Sequence, residues 1–253
     1  MNNIIINNNN LTNYRDNNIC ISDKKIIFNK DGEYTLEYVD SSEINLDIEV
    51  MDNVHINLFV VSTDNELKVN NTYKLRKNSV IDVYKFYYND SVKEDLVVNL
   101  DGEGTKFNYH FSSISRDNEE YHIIVNHNNH KVNSNVINKC ICLDNSKIVM
   151  TIDSVLDKGN IDCVMDQTSR ILTLGDADST IRPNMFINED SVEARHGSVV
   201  GRLDEEEIFY LMSRGIELDE AINLIIKGFI FSNLNVDMEK RGRIFQVIQN
   251  LRR

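Results

Sequence analysis

The chain has 253 residues, 41% of them hydrophobic and 26% charged, with a net charge of −13. That balance excludes wholesale disorder and argues against a general basic surface for nucleic acid or anionic lipid. No apolar run approaches the roughly 20 residues that span a bilayer, so neither nucleic acid nor a membrane is an expected partner.

Residues 1–20 are Asn-rich around the patch Ile4-Ile5-Ile6 and read as an irregular N-terminal segment or one edge strand. They lack the basic region and long apolar stretch of a signal peptide. The four cysteines, Cys20, Cys140, Cys142 and Cys163, are too few for a disulfide framework in a chain of this size. A cytoplasmic location is expected on both counts.

From residue 21 to 202 the hydrophobic period is two. Ile44, Leu46, Ile48 and Val50 alternate with polar residues, and Val54, Ile56, Leu58 and Val60 repeat the pattern. Phe107, Tyr109 and Phe111, then Tyr121, Ile123 and Val125, then Ile148, Met150 and Ile152 continue it. Each set is a strand with one face inward. Strand starts recur about every 10–15 residues, as in a sandwich, barrel or solenoid. No helical stretch intervenes, which excludes a βαβ fold. Polar, Asn-rich corners and a single proline, Pro183, lean toward the solenoid, because Asn tolerates the left-handed conformation of tight corners.

At about residue 203 the period changes, and residues 203–253 read as a helical subdomain. Asp204, Glu205, Glu206 and Glu207 open a first helix, where the macrodipole favours negative charge. Ile208, Leu211 and Met212 follow at helical spacing and Gly215 closes the run. A second helix opens at Asp219-Glu220, with Gly228 expected beyond its end. A third, from about Asp237 to Leu251, carries Ile244, Val247, Ile248 and Leu251 on one stripe.

Few residues suggest chemistry. Cys140-Ile141-Cys142 is not a C-x-x-C site and reads as two small core residues. His122, His127 and His130 read as solvated loop histidines, and the run from Asp153 to Asp178 as a solvated acidic edge. No nucleophile–base pair or phosphate loop is present, and the chain is not expected to be an enzyme. His196 is distinguished by position: it lies in Glu193-Ala194-Arg195-His196-Gly197, where the last strand hands over to the helices.

Residues 181–230 carry Pro183, Glu189-Asp190, His196-Gly197, Gly201, Phe209-Tyr210, Arg214-Gly215-Ile216 and Gly228-Phe229 in order. This fifty-residue pattern resembles the C-terminal signature of the SufB/SufD family, the non-ATPase subunits of the SUF iron–sulfur cluster assembly machine. Upstream, His127 with Ser134-Asn135, Gln167, and Leu174-Gly175-Asp176 resemble family steps more weakly.

The resemblance implies a mainly β protein: a right-handed parallel β-helix core with a C-terminal α-helical subdomain. Members carry a longer helical N-terminal region, so this chain reads as a short one. The resemblance further implies a scaffold that pairs through its β-helix with a SufB-like subunit or a second copy of itself. It implies docking of a SufC-type ABC ATPase through the C-terminal helices, with Glu206, Phe209, Tyr210, Arg214 and Phe229 as docking candidates. His196 matches the family histidine implicated in cluster assembly at the subunit interface and is a candidate iron ligand. Glu193 and Cys163 are the accompanying site candidates. Gly197 after the histidine is the SufD-like form, Ala194 stands where a SufD-type cysteine would be, and the SufB-type scaffold cysteine would fall near Thr168. No tightly bound cofactor is expected beyond a transient iron–sulfur cluster shared at an interface. Two alternatives stay open: a self-paired minimal scaffold that holds the nascent cluster itself, and a β-helix that binds polysaccharide.

Overall fold

The computed structural model describes residues 2–11, 18–22, 24–249 and 251. Its strands alternate between two sheets that face each other. The nine-stranded sheet holds β1 (Asn2–Asn7), β2 (Asn10–Leu11), β5 (Gly32–Val39), β7 (His55–Asp64), β9 (Val80–Asn89), β11 (Lys106–Ser115), β13 (Asn133–Cys142), β15 (Cys163–Thr173) and β17 (Val192–Arg202). The eight-stranded sheet holds β3 (Ile19–Ser22), β4 (Lys25–Phe28), β6 (Glu43–Val50), β8 (Leu67–Leu75), β10 (Val92–Leu100), β12 (Asn118–His127), β14 (Lys147–Leu156) and β16 (Asp178–Ile187). Two strands make one turn of a parallel β-solenoid of about six turns. The mainly β fold with a helical C-terminal part, expected from period and family pattern, is what the chain adopts.

Residues 1–20, expected as an irregular end or an edge strand, contribute β1, which pairs in parallel with β5 from Asn2–Tyr34 to Asn7–Val39. The short strands β2 and β3 then fold back antiparallel on β1 and β4.

Parallel stacking fixes the interior. In-register neighbours lie on the same face, so one inward position generates a column through successive turns. Leu46, Asn71, Leu96, Ile123, Ile152 and Pro183 form one such column by register. Tyr73, Tyr87, Phe107, Tyr109, Phe111 and Tyr121 fill the middle of the lumen with rings. The repeat lengthens along the chain, because Lys25 pairs with Asp47, Leu96 with Ile123, and Ile152 with Pro183.

Corners use the left-handed conformation that asparagine tolerates. Asn53, Asn78 and Asn145 have φ of 59°, 55° and 60°, and Asn78 Nδ2 donates to Asn53 Oδ1 of the turn before at 3.1 Å. Gly102 answers a different demand: a Cβ there would lie 2.1 Å from the Lys77 backbone nitrogen.

The helices are α1 (Glu205–Ser213), α2 (Leu218–Phe231) and α3 (Met238–Gln249). The Asp204 side chain caps α1 by accepting from the Glu206 N–H at 2.9 Å. Gly215, at φ 86°, ends it, with Gly215 N–H bonded to Met212 O and Ile216 N–H to Leu211 O. Gly228 does not end the second helix as expected: α2 continues to Phe231 because Ile230 completes the buried stripe Ala221, Ile222, Ile226 and Ile230. Nothing on the outer side of Gly228 opposes that continuation.

α2 and α3 lie along the outer face of the nine-stranded sheet, where Ile222, Ile226, Ile230, Leu234, Ile244 and Ile248 form a second core with Phe59, Val61, Phe86, Ile114, Ile141 and Leu172. At its far reach α3 binds β5 through Arg243 and Glu37. Among the described residues no helix is long and apolar enough to cross a membrane.

Candidate functional site at the open end of the solenoid

The last turn, β16 and β17, differs from every turn before it because no further strand covers it. Sheet order ends on β17 in one sheet and on β16 in the other. None of β17's eleven residues is buried. Phe186 is 54% exposed, Val199 55% and Val200 45%. Both strands therefore present unpaired backbone donors and acceptors beside exposed apolar side chains, the combination that templates pairing with another chain.

His196 lies within this edge. Its register partner on β15 is Gln167, an inward residue that is 2% exposed. His196 thus lies on the inner face, at the mouth of the lumen, and is solvent-exposed because no turn follows. Gln167 beneath it donates from Nε2 to Ser154 Oγ at 2.7 Å and to Asn184 O at 3.3 Å.

The other site candidates are not gathered around His196. Glu193 differs from His196 in strand parity and lies on the outer face, exposed, in register with Val164. Cys163 opens β15, opposite Val192, four residues from the His196 level. That offset is about 13 Å along the strand, too far for both to ligate one metal ion. Cys163 is buried, with its Sγ 3.3 Å from Asn129 O, and burial pushes its thiol pKa up. Among the described residues no three His, Cys, Asp or Glu side chains cluster as a metal site would.

Beside the edge, Arg195 on the outer face grips Asp166 with two hydrogen bonds, at 2.8 and 3.2 Å. That carboxylate, assigned to a solvated acidic edge by sequence, is engaged. So is Asp153, which accepts from Asn184 at 2.8 Å and meets His122 Nε2 at 2.8 Å.

Of the three histidines read as solvated loop residues, His130 is one, and His122 and His127 need correction. His130 lies exposed in a turn. His122 lies on β12 between Asp153 and Asp95. His127 is 1% exposed inside the solenoid, its Nε2 2.9 Å from Ser134 Oγ and its Nδ1 3.2 Å from Val155 O. Burial pushes its pKa down to about 4. The sequence signal was the inward parity His127 shares with Ile123 and Val125. Cys140 and Cys142 are core residues as expected, and burial raises the Cys140 thiol to about 12.

Two interior acids escaped the sequence reading. Glu94 forms an ion pair with Lys85 deep in the lumen, with side-chain exposures of 1% and 0%. Lys85 also lies 5.3 and 5.2 Å from the ring centroids of Tyr87 and Tyr109. Burial lowers its pKa, while the Glu94 charge opposes the shift. Glu119, one turn on, accepts from Ser113 Oγ at 2.8 Å, and burial raises its carboxyl to about 7. Parity with Val83 and Tyr87, with Val92 and Leu96, and with Tyr121 was the available signal.

A second exposed surface adjoins the edge. No residue of α1 is buried. Phe209 is 73%, Tyr210 56% and Met212 45% exposed, while Ile208 and Leu211 are half-buried. The helix thus has one inward and one outward face, with Phe209 outward. Glu206 is exposed in the acidic first turn, and Arg214 stacks over Tyr210 at 5.2 Å. Phe229 is placed differently: it is half-buried on α2, with Lys139 and Arg170 each 5.6 Å from its ring centroid.

Comparison with known proteins gives this geometry a context. The family model described as "SUF system FeS cluster assembly, SufBD core domain" matches residues 21–229. The iron–sulfur cluster assembly protein SufD of Escherichia coli is 27% identical over 189 residues, covering 72% of this chain and 45% of that protein. SufD of Bacillus subtilis is 44% identical over 71 residues, 28% of this chain and 16% of that protein. SufB of the same bacterium is 38% identical over 76 residues, 29% of this chain and 15% of that protein. Each aligned segment thus spans less than half of the relative it matches.

Proposed function

The chain belongs to the SufBD core family of the SUF iron–sulfur cluster assembly system, and from that premise we propose that it is a SufD-like, non-catalytic scaffold subunit. The observation that carries the reading is the open end. β16 and β17 are long, unblunted edges with exposed Phe186, Val199 and Val200. A SufB-like subunit, or a second copy of this chain, would continue the two sheets there and cover that apolar surface.

In such an assembly His196 lies at the junction. Its imidazole is a borderline ligand suited to iron, and one imidazole cannot hold a cluster alone. The partner would supply thiolates, and the cluster is cargo in transit. The separation of Cys163 from His196 favours this shared arrangement over a self-contained site on one chain. Absence of the SufD-type cysteine at Ala194 points the same way.

We further propose that α1 docks an ABC-type SufC ATPase. Phe209 and Tyr210 are the large exposed aromatics that dominate interfaces, and Glu205, Glu206 and Glu207 add a charged rim. Arg214 lies over the Tyr210 ring and adds a cation beside it.

Anaerobic co-expression with the SufC-like ATPase and SufB homologue of the same host, followed by mass determination, tests both statements. A complex containing all three supports them. A homodimer bearing one cluster per dimer would replace hetero-pairing with self-pairing. Recovery of a monomer without ATPase would refute both interfaces.

A further inference from the structure

Away from the open end, the α2–α3 connection and the outer face of the nine-stranded sheet line a half-open cavity of about 430 Å³. That volume lies within the roughly 300–1,000 Å³ of small-molecule sites. Tyr84, His110, Lys139 and Thr168 form the sheet wall, and Ser232, Asn233, Asn235 and Arg241 the helical wall. The chain carries a net charge of −13, yet this lining has two cations and no carboxylate.

The cations lack acidic partners. Lys139, its register neighbour Arg170, and Arg241 form no ion pair among the described residues, although many other basic side chains do. Lys139 Nζ instead donates to Ser232 Oγ at 2.7 Å, and Arg241 Nε to Val236 O at 3.1 Å. Aromatic faces supply the rest: Phe229 for Lys139 and Arg170, and Phe231 for Arg241 at 5.6 Å. An aromatic face attracts a cation without neutralising it. Burial and then the Arg170 charge hold the Lys139 ammonium below its ordinary pKa. Asp82, whose charge reaches Tyr84 and His110, is engaged by His55 at 2.5 Å and by Asn108 at 2.7 Å.

Hydrogen bonds and a ring stack tie the two walls of the cavity together. Asn233, 5% exposed, donates from Nδ2 to Phe111 O at 2.8 Å and faces His110 Nδ1 with Oδ1 at 3.2 Å. This pins the α2–α3 connection to β11. His110 in turn stacks on Tyr84, with centroids 4.9 Å apart. Lys139 and Arg241 therefore face one space from opposite walls, one on the sheet and one on a helix.

We propose that this cavity binds a phosphate-class oxyanion, free or as a small phosphate ester, between Lys139 and Arg241. Charge-assisted bonds from an ammonium and a guanidinium suit such a ligand, and Thr168 and Asn235 offer neutral donors. Because the two cations belong to different layers, the bound anion clamps the helical part onto the solenoid. This site does not depend on the assembly role proposed above.

The test is calorimetric titration of the full chain with inorganic phosphate and, separately, glycerol 3-phosphate, with the melting temperature read in parallel. Saturable binding of one anion per chain with a rise in melting temperature is expected. Lys139→Gln and Arg241→Gln should each weaken it by about tenfold, Lys139→Arg should restore it, and Lys68→Gln on the opposite sheet should leave it unchanged. Tighter binding of the ester assigns the remaining volume to its organic part; equal binding assigns the site to free phosphate. No saturable binding of either probe, or equal weakening by Lys68→Gln, overturns the site. A Lys139→Gln protein that melts lower without ligand is judged by Lys139→Arg, whose failure to bind also overturns it.

Discussion

The two ends of the solenoid solve the same problem in opposite ways. At the first end, the two-residue β2 and the four-residue β3 fold back antiparallel and blunt both sheets. Ile4, Ile19, Ile26 and Phe28 are consequently buried. At the last end, edges of ten and eleven residues are left open, and Val199 and Val200 face solvent. Chains manage free edges because unprotected ones aggregate. One blunted end and one open end on a single stack are the asymmetry on which the proposed pairing rests.

The largest expected effect concerns the interior between these ends. Glu94→Ala leaves the Lys85 ammonium buried without its carboxylate and should destabilise the monomer by about 3–5 kcal/mol, read by urea denaturation. A loss below 1 kcal/mol would show that the lumen is wet or soft there.

Next come two opposed pH dependences. Glu119 has its pKa raised from 4.5 to about 7, so its stabilising contribution is full below about 4.5 and lost as pH rises through 7. His127 has its pKa lowered from 6.5 to about 4, so its contribution is present above 6.5 and lost as pH falls through 4. Between 4.5 and 6.5 the slopes oppose one another. Glu119→Gln should expose the His127 slope, with stability rising by about 2–3 kcal/mol across that window. His127→Gln should expose the reverse slope. Urea midpoints at the two pH values check both, and flat profiles in both variants would contradict the burial of these groups.

The edge itself should respond in assembly alone. Val199→Lys with Val200→Lys should weaken pairing by tenfold or more, about 1.4 kcal/mol, while leaving the monomer's melting temperature nearly unchanged. A lysine placed on β3, as Ile21→Lys, should not affect pairing. Analytical ultracentrifugation separates these outcomes, and a pairing defect from the β3 change alone would reverse the assignment of the ends. The smallest effect is expected at Asp204→Ala, which removes the α1 cap and should cost about 1 kcal/mol locally, seen as faster amide exchange confined to α1.

Much of this was legible in the residues, and the reasons for the misses are specific. The period-two stretches became strands because a strand buried on one face shows its face in sequence. The change at residue 203 was visible because Asp204 and Gly215 bracket a helix by known chemistry. His127 was misjudged because the polar neighbours Asn126, Asn128 and Asn129 suggested a loop, whereas parity alone placed it inward. Gly228 is a stop by local propensity, and the tertiary contact of Ile230 overrides it. Cys163, Glu193 and His196 are grouped as site candidates by the family resemblance, Cys163 because it lies close in sequence to the position of a SufB-type scaffold cysteine near Thr168. Register, which fixes how far apart stacked residues lie, cannot be read from one chain without knowing loop lengths, and here it separates them.

The Arg243–Glu37 contact, spanning 206 residues, bears on how the molecule folds. A bare solenoid is a row of neighbours, each turn touching only the next, and such rows fray and melt piecemeal. Here α2 and α3 lie against strands from β7 to β15 at once, and Arg243 reaches β5. Early turns and the last helix therefore gain or lose their contacts together. The helical strap converts a one-dimensional stack into a closed circuit, so its loss should broaden a single sharp unfolding transition into a sequential one that begins at the open turn.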